Sequence, residues 1–418
     1  MSKGNYVIRV LDSPLQIDAA AWNGLLALQA HPTPFMQHAY LAALQRSGSA
    51  TPASGWTPRF VTLWHADGAL QAACPLYFKS HSRGEYVFDW SWADAYQRHG
   101  LRYYPKAVVA VPFTPVPGSR LLARDDAARS ALLEAVLALC RDQELSSLHL
   151  LFGSATDIDA CRHAGLLLRH TVQFHWTNRA PTLAASRAAL PPEGARFALG
   201  RPGGETRTPG HYRDFDDFLA ALSQDKRKKI RQERRKVMEA GVTLRHARGA
   251  EISPQDWDFF YRCYERTYLE HGNPPYLSRS FFDDLARTQA QHWLLFVAER
   301  QSRPIASSLI AVGDAGGDKV AWGRYWGALE RVDCLHFEAC YYSPLQWCIA
   351  NGYQRFEGGA QGEHKLARAL LPVRADSAHW LAHPDFAQAV EHFLAREGQG
   401  MADYLDELEQ HTPLRRGD

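Results

Sequence analysis

The same order of strand and helix patterns occurs twice along the 418-residue chain. In the first half, a strand and a turn lead to LQAACPLYF, a hairpin, VFDWSW, a helix ending near Cys140 and the strand SSLHLLF. In the second half, IASSLIAVG, a hairpin, VAWGRYW, a helix through Cys348 and YQRFEGG follow in that order. Any two α/β segments share some of this texture, but the agreement over several elements favours a duplicated unit. We therefore predict two related domains.

The bulk composition supports a folded chain with two cores. A length of 418 residues is more than one ordinary core accommodates, and 46% hydrophobic with 11% aromatic residues excludes a disordered chain. The net charge of +2 means that any polyanion must bind a local patch. Seven scattered cysteines without a CxxC pair fit reduced thiols. With no apolar segment at the N-terminus and no apolar run of ~18 residues, we expect a cytoplasmic location without a membrane span.

Changes in composition divide the chain into four parts. We predict an N-terminal domain over 1–179, a linker or insertion rich in Ala, Pro, Gly, Arg and Thr over 180–211, a basic helical bridge over 212–241 and a C-terminal domain over 242–418. The fold class that these patterns predict is α/β, of the α+β kind: in each domain a mainly antiparallel, splayed sheet carries flanking helices.

Several element boundaries carry the functional argument. Glu85–Trp92 is predicted to continue the first sheet, and 94–122 is predicted to be irregular because it contains four prolines. Asp333 is the predicted cap of a helix that runs to Ala350, with a kink or a fresh start at Pro344. The tail is predicted to form helices over 384–396 and 401–410.

A glycine-rich polar loop, Glu357–Lys365, follows the last strand of the second repeat. Its sequence EGGAQGEHK lets backbone N–H groups approach a ligand closely, and it lacks the GxxxxGK[ST] spacing of a Walker A loop. The alternative is a tight left-handed turn without a binding role. The candidate binding residues of the loop are Gly358, Gly359, Gln361, Glu363, His364 and Lys365.

The helix over 225–240 is strongly basic, with the sequence DKRKKIRQERRKVMEA. Its thin apolar stripe, which includes Ile230 and Val237, leaves most of the cations exposed. A solvated bridging helix explains this pattern, and so does a surface for phosphate groups. The candidate phosphate or donor contacts are Lys226, Arg227, Lys229 and Arg231.

Several of these segments together resemble the tandem acetyltransferase-like (GNAT-type) domains of the Fem family, and most closely its predicted N-acyltransferases. The segments that carry the resemblance are FDWSWADAY (88–96), QFHWTNR (173–179), KRKKIRQERRKV (226–237), GRYWG (323–327), HFEACYY (336–342) and RFEGGAQGEHK (355–365). The resemblance covers most of both halves, and the segment 180–211 departs from it. It implies an N-acyltransferase that moves an acyl or aminoacyl group to an amine, with a cell-wall precursor as the acceptor by analogy alone.

Acyl transfer to an amine needs a deprotonated nucleophile, a polarised carbonyl and a stabilised oxyanion. Glu338, Glu357 and His336 are candidate bases, and Tyr342 or its neighbour Tyr341 could protonate a leaving group. Each of them could equally be a satisfied polar residue of the core. Arg324 and Trp326, on the strand before the helix, are candidate substrate contacts.

A second set of candidates lies in the first half, where aromatic rings and charges alternate near the ends of predicted strands. These residues could form the acceptor pocket between the domains, as the far wall of the cleft, or they could be interface core with one satisfied polar end. The candidate acceptor-binding residues are Asp89, Trp92, Asp94, Tyr96 and Arg120.

The donor stays open. The pyrophosphate loop of GNAT enzymes reads Q/R-x-x-G-x-G/A, whereas RYWGAL (324–329) has Leu329 at the sixth position. The resembled family lacks that loop too, so the donor is either an aminoacyl-tRNA or an acyl-CoA, used as a co-substrate with no bound cofactor. We predict no metal, because His336 with Glu338 and Glu363 with His364 do not have the spacing of helical ligand pairs. The rival interpretation is a non-catalytic RNA-binding or scaffold protein that uses the helix 226–236.

Overall fold

The computed structural model describes residues 6–179, 210–360, 362–410 and 412–415, so most of the predicted linker lies outside the described residues. The strands of the first half are β1 (Val7–Leu11), β2 (Trp56–Pro58), β3 (Phe60–Trp64), β4 (Leu70–Cys74), β5 (Leu76–Lys79), β6 (Lys106–Val109), β7 (Leu122–Ala123), β8 (Ser147–Gly153) and β9 (Leu167–Thr177). Its helices are α1 (Ala19–Ala27), α2 (His38–Arg46), α3 (Trp90–Arg98), α4 (Asp126–Asp142) and α5 (Ala155–His163).

The second half begins with two helices and then repeats the order of the first. Its helices are α6 (Phe215–Ala220), α7 (Gln224–Glu239), α8 (Pro254–Glu270), α9 (Arg279–Thr288), α10 (Leu335–Phe337), α11 (Ser343–Ala350) and α12 (Pro384–Gln410). Its strands are β10 (Val242–Arg248), β11 (Trp293–Arg300), β12 (Arg303–Ala315), β13 (Asp318–Ala328), β14 (Arg355–Ala360) and β15 (Leu371–Leu381).

Strands from both halves alternate in one sheet. The sheet has eleven strands in the described chain, in the order β10-β11-β12-β13-β14-β9-β15-β8-β6-β5-β2. The last strand of the first half, β9, therefore lies between β14 and β15, and the last strand of the second half, β15, lies between β9 and β8. The antiparallel register of β9 and β15 runs from His175 opposite Leu371 to Leu167 opposite His379. Each half thus completes its sheet with a strand of the other.

The other elements of the two halves occupy equivalent places. In each half an antiparallel meander ends in a strand that crosses through a helix to a parallel neighbour: β6 through α4 to β8, and β13 through α11 to β14. The parallel pairing is short in both, and β13 and β14 pair only from Val320–Trp322 to Arg355–Glu357 before they diverge. The predicted α/β class with tandem GNAT-like units is confirmed.

The predicted strand Glu85–Trp92 is wrong, because this segment leads into α3 and the strand equivalent to β13 is β6. The mistake arose because VFDWSW alternates apolar and polar residues like VAWGRYW, whereas the buried strand KAVV carries no alternation. The alignment of the two repeats was therefore wrong at this one element. It was right for β4–β5 with β12, for α4 with α11 and for β8 with β14.

The predicted helix from Asp333 to Ala350 is interrupted. Cys334, at φ +64°, occupies the cap position in place of Asp333, and a π-helical turn (Glu338–Tyr342) separates α10 from α11. Pro344 has no N–H to donate to the carbonyl of Cys340, so a regular helix cannot continue through this point. Where a loop was predicted after Glu357, the structure has the end of β14 and then a 3-10 turn (Glu363–Arg368). The strand β15 was not predicted. The tail, predicted as two helices, is the single helix α12.

The largest apolar core lies on the side of the sheet that both halves share. It contains Phe35, Trp56 and Phe60 of the first half together with Phe260 and Trp322 of the second. A separate core around Phe356, Tyr342 and Leu345 lies on the opposite side, under α11. We call the side with Trp322 the front face and the side under α11 the back face.

We expect that residues 1–179 and 210–418 do not fold when each is produced alone. The first half would lack β15, which pairs with β8, and the second half would lack β9, which pairs with β14. Each half would therefore expose unpaired strand edges and apolar surface of the shared core. Circular dichroism melts of the separate halves should show no cooperative transition, whereas co-expressed halves should co-purify and melt cooperatively. A separate half that melts cooperatively at the midpoint of the intact chain would contradict this.

Candidate functional site

Glu357 lies on the front face where β13 and β14 begin to diverge. Alternation along β14 turns Phe356 to the back-face core and leaves Arg355 and Glu357 on the front face. Glu357 is buried, and its Oε1 accepts a hydrogen bond of 3.0 Å from Arg355 Nε. Its Oε2 is enclosed and has no partner among the described residues. One carboxylate oxygen is therefore free to accept a proton.

A cavity of about 330 Å³ lies in front of Glu357 and is lined by both halves. His31, Pro117 and Gly153 contribute from the first half, opposite Arg355 and Glu357. His175, which lies directly across from Glu357 on β9, also lines it. Burial, opposed by Glu357, lowers the pKa of His175, and burial with Arg355 lowers that of His31. The cavity thus places one carboxylate among imidazoles that are neutral near pH 7.

Arg324 also lies on the front face, as the extra residue of a β-bulge. Leu309 pairs with Tyr325 and Ile310 with Gly323, so Arg324 has no opposite residue on β12. A bulge lets two successive side chains point to one face. Arg324 accordingly contacts Phe35, with its guanidinium 5.3 Å from the ring centroid, and donates a 3.0 Å hydrogen bond to Phe113 O. The bulge therefore aims Arg324 at the first half.

His336 and Trp326 lie elsewhere, in a cluster of rings beyond the divergence. The His336 ring lies 5.4 Å from Trp326 and 5.6 Å from Tyr341, centroid to centroid. Burial, followed by His364, lowers the pKa of His336 to about 4. His336 and Trp326 line a second cavity, of about 450 Å³, together with the chain from Ala328 to Val332. The structure separates these two candidates from Glu357.

The glycine-rich segment has one steric requirement and one conformational requirement. A Cβ on Gly358 would lie 2.4 Å from Leu370 Cδ2 and 2.9 Å from Phe174 O, so close packing excludes any side chain there. Gly359 has φ +75°, in the left-handed region that favours glycine. Lys365 Nζ lies 3.4 Å from Gly359 O, and burial lowers its pKa to about 8. His364 is exposed and contacts Tyr341 Oη at 3.2 Å.

The structure does not describe the side chains of two predicted binding residues in this segment. Gln361 lies outside the described residues, and the side chain of Glu363 is not described. Their proposed roles in binding remain predictions.

Glu338 and Tyr342 are occupied by contacts with α7. Glu338 accepts two hydrogen bonds of 3.0 Å from Arg234 and one of 2.7 Å from Ser343 Oγ. The Tyr342 hydroxyl donates to Glu233, which also accepts from Arg368 at 2.8 Å. Burial, with Glu233 adding to it, raises the pKa of Tyr342. Both side chains fasten α7 to the π-helical turn, and neither has a free proton-accepting atom.

The basic helix α7 therefore has two distinct faces. Ile230, Glu233 and Val237 are buried on one face, where they pack toward the π-helical turn and β10. On the other, Lys229 and Arg231 are exposed, while Lys226 and Arg227 are half-buried. Arg231 and Arg234 also line an open groove of about 940 Å³ that includes Glu338 and Trp347. Phosphate binding by the exposed face of α7 therefore stays a prediction.

Asp89 belongs to a buried polar network of the first half. It accepts hydrogen bonds from Lys106 and from Tyr103 Oη, the latter at 2.5 Å. Burial opposes its ionisation, but Lys106 and His149 hold the pKa of Asp89 well below its usual range. His149 Nδ1 in turn lies 2.7 Å from His379 Nδ1 on β15. The network joins β6 and β8 to the strand received from the other half.

The remaining first-half candidates also have structural partners. Trp92 stacks on His149, and Tyr96 lies 4.1 Å from the Phe386 ring of α12, centroid to centroid. Arg120 is fully buried and donates to the carbonyls of Val116, Gly118 and Leu151. Asp94 is exposed on α3. None of the contacts described for these side chains reaches Arg324 or Glu357, so the structure does not bring the two candidate sets together.

Sequence reasoning missed several residues that now organise the site. His175, Arg355 and His31 were not singled out, although QFHWTN contains His175, QRFEGG contains Arg355 and the turn HPTPF contains His31. The alternation of residues on the two strands could have revealed His175 and Arg355, because polar residues at every second position of β9 and β14 indicate a polar face on an otherwise buried sheet. Glu233 and Arg234 were hidden among the charges of α7, where spacing relative to Ile230 was the only indication.

The fold consists of two tandem GNAT-like units, and the front-face cavity lies between them. The chain belongs to the FemAB-like family, described as peptidoglycan biosynthesis/recognition, whose model matches residues 13–182 and 207–416. The family assignment therefore covers both halves and agrees with the resemblance seen in the sequence.

Solved structures similar to this chain include the C-terminal domain of a candidate lysylphosphatidylglycerol synthetase from Agrobacterium fabrum, at 12% identity and a TM-score of 0.52, covering 90% of this chain and 96% of that one. L-PGS from Bacillus licheniformis matches at 11% identity and 0.49, covering 90% and 97%. A tandem GNAT protein from the clavulanic acid pathway matches at 11% and 0.42, covering 91% and 99%. At these identities the first similarity supports the shared fold alone, and the other two carry no further argument.

The described residues contain neither a metal-binding cluster nor a membrane-spanning helix. No group of three or more His, Cys, Asp or Glu side chains there is arranged to hold a metal ion. No helix in the described ranges has the length and apolar character to cross a membrane.

We expect the His149–His379 contact to make stability depend on pH. Burial, followed by Arg169, lowers the pKa of His379 to about 3, against ~6.5 for an unfolded chain. The unfolded state binds more protons between these values, so the free energy of unfolding should fall as pH falls from about 6.5 towards 3, by at most about 1.4 kcal/mol per pH unit for this group. Denaturant unfolding of His379→Asn should show a shallower fall than wild type. The exposed His392→Asn is the control, and equal slopes for all three would contradict the assignment.

We expect Arg234 and Glu338 to be coupled in stability. Glu338→Ala leaves the guanidinium without its buried partner and should lower the free energy of unfolding by about 1–3 kcal/mol. A double-mutant cycle with Arg234→Ala should give a coupling energy above about 0.5 kcal/mol. The exposed Lys229→Ala should have little effect, and additive Arg234 and Glu338 changes would refute the structural role.

Proposed function

We propose that this protein is an acyltransferase that moves an acyl or aminoacyl group from an activated donor to an amine. The observation that carries the proposal is Glu357, whose Oε2 has no partner among the described residues and whose side chain lines a cavity between the halves, at the divergence of β13 and β14. Membership of the FemAB-like family supports a role in peptidoglycan biosynthesis or recognition. The acceptor that fits this context is a cell-wall precursor with a free amine.

Glu357 is the residue we propose as general base. An α-amine with a pKa near 8 costs only ~1.4 kcal/mol to present in neutral form at pH 7, whereas a lysine-type amine costs about 4.6 kcal/mol. The neutral amine attacks the donor carbonyl carbon, the tetrahedral adduct loses a proton to Glu357 Oε2, and the donor oxygen or sulfur leaves with the bonding electron pair. Protonated Glu357 can then return that proton to the leaving group.

The environment of Glu357 supports this role. Arg355 holds one carboxylate oxygen at 3.0 Å and so fixes the orientation of a side chain that lines the cavity. The imidazoles of His175 and His31, whose pKa values burial lowers, add no positive charge that would make Glu357 a weaker base. Glu338, by contrast, receives three hydrogen bonds, and both of its carboxylate oxygens are held by Arg234.

The donor is proposed by class only, as an aminoacyl-tRNA or an acyl-CoA, both of which carry phosphates and are made in the cytoplasm. The exposed face of α7, with Lys228, Lys229, Arg235 and Lys236, supports a phosphate-bearing donor. The same face is also the observation that favours the rival function, an RNA-binding or scaffold protein. A rival of that kind predicts steeply salt-dependent RNA binding and no acyl transfer.

Mass spectrometry of N-acylated products tests the proposal. Wild-type protein should acylate an amine-bearing cell-wall precursor when it is supplied with charged tRNA or acyl-CoA. Glu357→Gln keeps the size and the contact with Arg355 but removes the base, so the rate should fall by roughly 100-fold or more. The loss should be in kcat, because binding is largely retained.

Two controls make the outcome decisive. The exposed Glu391→Gln on α12 should be as active as wild type, and both variants should unfold at the wild-type midpoint. Full activity of Glu357→Gln would reject Glu357 as the base. RNA binding without any acylated product, across both donor classes, would favour the rival.

A further inference from the structure

Arg324 lies in a recess on the front face whose walls are mainly tyrosine rings. We call this the Arg324 recess and define it by Arg324, Tyr325, Tyr40, Tyr86 and Tyr268. Tyr40 and Tyr86 come from the first half, and Tyr268 comes from α8. Tyr40 interacts electrostatically with Tyr325, and Tyr86 with Tyr268, so the walls come together from the two halves.

The recess is enclosed and still accessible. Burial raises the pKa of Tyr86 and of Tyr268, which means that protein surrounds both rings. Nevertheless Tyr86, Tyr268 and Arg324 all retain part of their accessible surface. Arg324 and these two rings are therefore half-buried, which leaves the guanidinium within reach of a ligand from solvent.

The guanidinium of Arg324 is not satisfied by the protein. In the described chain its hydrogen bonds go to Phe113 O at 3.0 Å and, weakly, to Tyr325 Oη at 3.4 Å, while Nε is enclosed without a partner. No carboxylate among the described residues pairs with it. Arg120 is the useful contrast, because its Nε, Nη1 and Nη2 all donate to backbone carbonyls. A half-buried cation without a counter-charge favours the binding of an anion beside it.

Backbone strain occurs at the same place. Tyr86 has φ +64° and Phe113, whose carbonyl accepts from Arg324, has φ +58°. Aromatic residues rarely adopt the left-handed region, and such strain is typical of ligand-binding positions. The Phe113 ring also stacks on Tyr276, with centroids 4.9 Å apart, which holds this strained segment against the second half.

We propose that the Arg324 recess binds a carboxylate of the acceptor substrate. The planar fork of a guanidinium matches a carboxylate, and tyrosine hydroxyls can donate to its remaining lone pairs. The single unpaired cation balances one negative charge, whereas a phosphate monoester would bring about two. This inference rests on the proposed acyl transfer and narrows the acceptor to amines that carry a carboxylate.

Binding of small probes to the full chain tests the recess without turnover. The probes are phenylacetate, its neutral isostere phenylacetamide, and phenyl phosphate, measured by calorimetry or ligand-observed NMR. Wild type should bind phenylacetate about 10- to 100-fold more tightly than phenylacetamide. Arg324→Met should remove this preference, and Arg324→Lys should retain only part of it because lysine lacks the fork. The exposed Arg262→Met on α8 is the matched control and should keep it.

Every outcome decides for or against the carboxylate. Equal affinity for phenylacetate and phenylacetamide in wild type overturns the proposal, even if Arg324→Met fails to fold. Tighter binding of phenyl phosphate than of phenylacetate also overturns it, in favour of a phosphate. Carboxylate selectivity without any acyl transfer would leave the recess standing and reject the proposed function. Acyl transfer that Arg324→Lys leaves unchanged, together with a lack of carboxylate selectivity, would support the proposed function and reject the carboxylate site in the recess.

Discussion

The exchange of the last strands between the two halves is the constraint on which the rest of the structure depends. β9 pairs with β14 and β15, and β15 pairs with β9 and β8, so backbone hydrogen bonds cross between the halves in the middle of the sheet. The exchange fixes which faces of the two units meet. It also buries one large core between them, with Phe35 and Phe60 on one side and Phe260 and Trp322 on the other.

The candidate site follows from that exchange. His175 reaches Glu357 only because β9 is the neighbour of β14, and Arg324 reaches Phe113 only because the front faces are pressed together. The cavity beside Glu357 therefore has walls from both repeats. A single unit of this fold would have the divergence of its parallel strands but no wall opposite. Duplication supplies that second wall, and the inserted strand positions it.

Periodicity and composition predicted the features that depend on near neighbours in the sequence. Strands such as β8 and β12 and the helices α4 and α8 carry clear apolar patterns, and the order of elements in the two repeats was enough for the fold class. The strand β6 was missed because a short, fully buried strand such as KAVV has no alternation. The exchange of β9 and β15 was not predictable, because the residue pattern of each strand fits pairing within its own half as well as pairing with the other half.

For the site, the types of residue were predictable and their partners were not. Glu338, Tyr342, Arg324 and Glu357 are all polar residues near the ends of elements, and nothing local distinguishes them. The structure distinguishes them through hydrogen-bond partners: Glu338 is held by Arg234, and Tyr342 by Glu233. Those partners lie on α7, more than a hundred positions earlier in the chain, so spacing could not reveal them.

The hydrogen-bond partners also explain why only two of these four side chains are candidates for a role in binding or catalysis. A buried polar atom whose hydrogen bonds are all made by the protein stabilises the fold, whereas one left open requires water or a ligand. Glu357 Oε2 and Arg324 Nε belong to side chains on the same face of the sheet and have no hydrogen-bond partner in the described chain, so the first could accept a proton and the second could hold a negative charge. Phe35 packs against Trp322, which lines the cavity of Glu357, and lies under the Arg324 guanidinium. An amine acceptor whose carboxylate binds Arg324 and whose amine is deprotonated by Glu357 would use both groups, and this pairing would tie the reaction to the interface of the two halves.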